Sequence, residues 1–154
     1  MTDRQFDRIN GVLRLQKQML LAYDACITQA ADRVGVTKAE ADVLLFLSNN
    51  PQYSAARDVV RHRGLSKTYV SRAVEQLSAR GMLVVETSPM DRRLQHLRLT
   101  AAAAEPVRRL QRVQMDFFVR LTDGLADDDV AASYRVLGRI DARLRQMSGR
   151  IGCE

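Results

Sequence analysis

Two short amphipathic segments separated by Arg63-Gly64-Leu65 constrain this chain more than any other feature. A break that tight, carrying a glycine free to take positive φ, makes the flanking helices cross steeply, as in a helix-turn-helix. Upstream, Ser54 is placed to cap a helix running to about His62, with Ala55, Val59 and Val60 turned inward. Downstream, Ser66 caps a helix that reaches Arg80, and Gly81 stands at its C-terminal stop. On this second helix Val70, Ala73, Val74 and Leu77 share a narrow sector that must face a core. Thr68, Arg72, Glu75 and Ala79 lie opposite, with Lys67 and Ser71 on one flank and Tyr69 and Gln76 on the other.

After Gly81 the apolar period changes from 3.6 to 2. Leu83 and Val85 alternate with Val84 and Glu86, and Leu97 and Leu99 alternate with His96 and Arg98. The polar stretch between them, Thr87 to Arg93, makes the pair a β-hairpin with a basic tip, Asp91-Arg92-Arg93. Ahead of the helix-turn-helix, Thr37-Lys38-Ala39-Glu40 is a capping box that opens a helix with Ala41, Leu44, Leu45 and Ser48 on one face, stopping at Asn49-Asn50-Pro51. A long helix from about Arg4 to Arg33 precedes it, with Phe6, Ile9, Leu13, Leu20, Tyr23 and Ile27 at helical spacing. From Ala101 a fifth helix carries Val107, Leu110, Val113, Phe117 and Leu121. Asp127-Asp128-Asp129 then opens a last one, whose carboxylates suit the positive end of its dipole and whose stripe is Val130, Tyr134, Leu137, Ile140, Leu144 and Met147. The fold class is mostly α: a winged helix-turn-helix lobe over 34–100, flanked at 1–33 and 101–154 by helices longer and more amphipathic than one small lobe needs to cover its core.

Composition narrows the function. The 154 residues are 46% hydrophobic, too apolar for a disordered chain, yet no apolar run approaches the ~20 residues of a membrane span. The N-terminus, Met1 to Arg8, has no apolar h-region, so a soluble, cytoplasmic protein is expected. The net charge of +6 is uneven: between Ser54 and Leu99 lie nine basic and four acidic residues, which places +5 of it on the helix-turn-helix and hairpin. A local basic excess on an otherwise balanced chain suits a polyanion, nucleic acid above all.

The exposed side of the second helix carries the chemistry. Lys67, Thr68, Tyr69, Ser71 and Arg72 can donate to phosphates, pair bidentately with guanine or touch a thymine methyl, and their modest bulk lets the helix seat in a groove ~12 Å wide. At the hairpin tip Arg92 and Arg93 can place a guanidinium in a narrow minor groove, with Asp91 orienting it. No Gly-rich phosphate loop, Ser/His/Asp order or evident carboxylate pair argues for an enzyme, and no cofactor is expected. His62 and His96 are the only histidines, too few to build a metal site with Cys26 and Cys153, which stand far apart.

Taken together, these segments resemble the MarR family of bacterial winged-helix transcription regulators. The resemblance is carried by Thr37-Lys38-Ala39-Glu40 with Val43-Leu44-Leu45, by the run from Gly64-Leu65-Ser66 through Leu77, by Arg80-Gly81-Met82-Leu83, and by Asp91-Arg92-Arg93 followed by Leu99-Thr100. It departs at Ala102-Ala103-Ala104, where the family usually has a glycine. The resemblance implies a homodimer with interlocking N- and C-terminal dimerisation helices, reading a near-palindromic double-stranded DNA operator. It also implies repression relieved by a small, often anionic aromatic ligand, or by thiol oxidation. Ser66, Lys67, Thr68, Tyr69, Ser71 and Arg72 would be the recognition-helix contacts, Arg92 and Arg93 the wing contacts and Asp91 the wing-orienting residue.

Two other readings stay open. A thiol-based redox sensor would work through Cys26, which lies late in the first helix with only Tyr23 near it in sequence, unlike the early cysteine of the oxidation-sensing branch. A winged helix used for protein interaction would require an acidic or apolar second helix, whereas this one is basic and small-polar.

Overall fold

The capping box forms as the sequence requires: Thr37 Oγ1 accepts from Glu40 N at 3.2 Å while the Glu40 carboxylate accepts from Thr37 N at 2.6 Å. It starts α2 (Lys38–Asn49), which follows the long α1 (Asp3–Arg33). After α2 come α3 (Ala56–Arg63), α4 (Lys67–Ala79), β1 (Leu83–Thr87) and β2 (Gln95–Leu99). A 3₁₀ turn at Ala101–Ala103 then leads into α5 (Ala104–Leu121), followed by α6 (Asp127–Ser148). The structure is a computed structural model, and the residues it describes are 3–87 and 95–148.

Met1–Phe117 forms one compact unit and Phe118–Glu154 a second. In the first, α2 is central, touching α1, α3, α4 and β2. The core is built from Tyr23, Ile27, Ala30 and Ala31 of α1, the run Val43–Leu47 of α2, Val59 of α3, the inward face of α4, Leu83 and Leu97 of the strands, and Val107 and Leu110 of α5. The expectation of a single buried face on α2 is corrected here: every residue from Glu40 to Leu47 is buried, because four elements surround the helix. Two carboxylates, Glu40 and Asp42, are carried inside with it.

The strands pair antiparallel with Leu83 opposite Leu99 and Val85 opposite Leu97, so alternate residues turn to the core. Ser54 does not cap α3 as its position suggested. Its backbone is drawn to the wing, where its carbonyl accepts from Leu97 N at 2.6 Å and its Oγ meets His96 Nδ1 at 2.8 Å. Ala55 holds the N-cap position, bridges His96, and donates its N–H to the Asp58 carboxylate at 3.0 Å.

The stripe on α1 divides. Tyr23 and Ile27 are buried, whereas Leu13 and Leu20 are exposed; the side chains of Phe6 and Ile9 lie outside those described. On α5 Val107 and Leu110 are buried, Val113 and Phe117 half-buried, and Leu121 exposed. Considered by itself, α6 leaves Tyr134, Leu137, Ile140, Leu144 and Met147 exposed. No helix among the described residues is long and apolar enough to cross a membrane.

Candidate nucleic-acid interface

Ser66 starts α4 by accepting from Tyr69 N at 3.2 Å, which satisfies one orphan amide of the first turn. The preceding Gly64 takes φ 64°, the left-handed conformation that lets α3 end and α4 begin within three residues. Gly81, at φ 67°, ends α4 in the same way.

Val70, Ala73, Val74 and Leu77 are all buried, which fixes the opposite side of α4 outward. Ser66, Lys67, Thr68, Ser71 and Arg72 are exposed there, together with Glu75 and Gln76 a turn further on. Among the described residues Lys67 and Arg72 make no ion pair, and neither do Arg57 and Arg61 of the neighbouring α3. Arg57, Arg61, Lys67 and Ser71 rim a cleft of about 620 Å³ between α3 and α4, with Ala56, Val60 and Val70 in its wall and one acid, Asp58, which accepts from the Ala55 amide. Unpaired cations beside a helix N-terminus form a surface prepared for phosphate. Arg57 and Arg61 entered the sequence reading only as charge; their place on this rim depends on how α3 crosses α4.

Tyr69 is placed differently from its neighbours. It is half-buried, and its hydroxyl donates to Asp42 Oδ2 at 3.3 Å. Burial first, then the charge of Asp42 and the hydrogen bond to it, push the phenol up to about 12. Asp42 also takes Lys38 Nζ at 2.7 and 2.8 Å and Arg63 Nη2 at 3.3 Å. At the far end of α4, Arg80 Nη1 reaches Glu40 at 3.2 Å and its Nη2 donates to the Gly35 carbonyl at 2.8 Å. Asp42 and Glu40 escaped the sequence reading of the site. The available signal was an acid inside the run Ala41 to Leu47 with a lysine four residues before it.

The wing frame is described and its tip is not. Arg98 on β2 pairs with Glu86 on β1 at 2.6 Å, so that cation is partly committed within the hairpin. Asp91, Arg92 and Arg93 lie outside the described residues. Cys26 is half-buried on α1 and not disulfide-bonded. Among the described residues no group of three or more His, Cys, Asp or Glu side chains is gathered as a metal would need.

Residues 34–94, α2 through the hairpin, match the model of the MarR family. A putative transcriptional regulatory protein for the hcr operon of Thauera aromatica is 31% identical over 93 residues, 58% of this chain; the chain spans about half, 55%, of that relative's length. Among solved structures, a MarR family transcription regulator superimposes with TM-score 0.74 at 17% identity, covering 95% of this chain and 96% of its own. BpsR of Bordetella bronchiseptica, whose DNA binding is regulated by 6-hydroxynicotinic acid, gives 0.67 at 23% identity over 85% and 98% of the two chains. At such identities the structures speak to the fold, which is the winged helix with long flanking helices. Across the lobe, residues 34–94 are similar to the MarR family, whose members are transcription regulators.

Proposed function

We propose that this protein is a sequence-specific double-stranded DNA-binding transcription regulator, a repressor acting as a homodimer in the cytoplasm. The observation that carries this reading is the outward side of α4: small polar and cationic residues in a row, over a fully apolar inner side, beside Arg57 and Arg61 of α3, which make no ion pair among the described residues. Lys67, Ser66 and Thr68 serve phosphates and the groove wall, Arg72 and Ser71 the base edges. On the sequence reading, Arg92 and Arg93 extend the contact into the minor groove with Asp91 orienting them.

The homodimer is supported by apolar side chains that this chain leaves uncovered, Leu13 and Leu20 on α1 and Leu137 and Ile140 on α6. Two copies then hold their recognition helices about one DNA turn apart, ~34–36 Å, and meet a near-palindromic operator. Release by a small aromatic or anionic ligand follows if the ligand binds one spacing of the lobes better than the other, since only a differential affinity shifts the population. BpsR, whose DNA binding is regulated by 6-hydroxynicotinic acid, offers a parallel.

Selection from a random duplex library with the purified protein, followed by fluorescence anisotropy on the enriched sequence, tests the proposal. Enrichment of an inverted repeat bound by a dimer is the expected result. Equal affinity for the enriched and unselected duplexes would refute it.

A further inference from the structure

A buried carboxylate on α2, Asp42, lies against the helix-turn-helix. Asp42 is 2% exposed and takes donors from three places: Lys38 one turn back on α2, Arg63 at the end of α3, and Tyr69 in the first turn of α4. Arg63 and Tyr69 bracket the turn 64–66, so a single carboxylate ties both sides of the joint between the two helices. Lys38 also meets Asp24 of α1 at 3.1 Å, which fastens this anchor to the long N-terminal helix.

From this we infer that Asp42 is the positioning residue of the recognition helix, and that Tyr69 contributes to operator reading through its tie to Asp42 rather than as a contact to DNA. The inference rests on the DNA-binding role proposed above. A charged residue at a core position is a poor device for stability, because a well-packed apolar side chain there is often as good or better. Its use is geometric, since a bidentate acceptor fixes where its donors sit. A rotation of α4 by ~10° moves a side-chain tip 5–6 Å from the helix axis by about 1 Å, enough to spoil a bidentate bond from Arg72 to a base. The phenol that makes the tie stays protonated, and so keeps donating, well above neutral pH.

The test uses the full chain as wild type, Asp42→Leu, Tyr69→Phe and the double variant, titrated against the selected operator and a scrambled duplex of equal composition; leucine has nearly the shape of aspartate and no acceptor for the Tyr69 hydroxyl. Each single variant is expected to lose affinity for the operator by about tenfold more than for the scrambled duplex, the scale of one or two interface hydrogen bonds. The double variant is expected to be no worse than the weaker single, because both substitutions cut the same tie.

Operator binding that falls in Tyr69→Phe but not in Asp42→Leu, or losses that multiply in the double variant, would put the hydroxyl on DNA and overturn the inference. Equal losses on both duplexes would also overturn it, since a carboxylate that only holds the lobe together has no reason to spare the scrambled sequence. Should Asp42→Leu fail to fold, Asp42→Ala paired with Tyr69→Phe carries the same comparison. A wild type with no preference between the duplexes would defeat the functional reading itself, and that is seen before any variant is titrated.

Discussion

Arg80→Ala isolates the other acid that α2 carries into the core. Glu40 is 2% exposed and, apart from the amide of Thr37 at 2.6 Å, its charge is met by Arg80 at 3.2 Å. At that separation and an effective dielectric of about 20, the gross attraction is ~5 kcal/mol. The arginine side chain is 38% exposed and is rehydrated in the unfolded chain, which offsets part of that. Water can also enter through the open cleft of about 570 Å³ that Glu40 and Arg80 line. Removal of Arg80 further deprives the Gly35 carbonyl of a donor at 2.8 Å, about 1 kcal/mol. The balance is a loss of about 2–3 kcal/mol, below the 3–5 kcal/mol of a fully enclosed pair but above the 0–1 kcal/mol of an exposed one. Urea unfolding followed by far-UV circular dichroism at fixed protein concentration measures it. Adding Glu40→Gln should recover at least half, because the amide oxygen can still accept from Thr37 N without burying a charge. A loss under about 1 kcal/mol, or no recovery in the double variant, would refute the reasoning and make this an ordinary surface pair.

Three further outcomes are expected. Arg72→Ala should cost about 1–3 kcal/mol on the selected operator and relax base preference at one position of each half-site; unchanged selectivity in competition titrations would remove Arg72 from base reading. Truncation after Thr122 removes the α6 stripe and should give a monomer by light scattering, whereas a dimeric product would place the interface elsewhere. Because the Tyr69 phenol is raised to about 12 from its ordinary 10, its contribution to folding is present in full below pH 10 and lost as pH rises from 10 to 12. Urea midpoints across that window should fall further for wild type than for Tyr69→Phe; parallel curves would deny the tie to Asp42.

Much of the lobe was legible because its signals are local. The box at Thr37 and Glu40, the cap at Ser66 and the glycine stops at 64 and 81 each depend on residues within one turn, and all four stand where the sequence places them. The inward set of α4 is equally local, since Val70, Ala73, Val74 and Leu77 share a sector of any regular helix. What could not be read depends on chain segments far apart. Ser54 looks like a helix cap until His96, 42 residues on, offers a ring nitrogen and a strand edge. Asp42 looks like a solvated residue until four elements close around α2. The α1 stripe has one period along its length, so nothing in it distinguishes Ile27, covered by this chain, from Leu20, left exposed by it.

The two buried acids change what kind of switch this lobe can be. Glu40 holds α4 through Arg80 at its C-terminal end and Asp42 holds it through Tyr69 at its N-terminal end, and both stand in the buried stretch Glu40–Leu47 of one helix. On the proposed function α4 is the recognition helix, and tied at both ends to its own core it is costly to tilt within the lobe, since tilting takes Arg80 from buried Glu40 and Tyr69 from buried Asp42. An effector that acted by bending α4 would have to supply that cost from its own binding energy. One that changed the spacing of two intact lobes would not. If the proposed dimer releases DNA on binding an effector, these ties favour movement of whole lobes, with each helix-turn-helix carried through the transition unchanged.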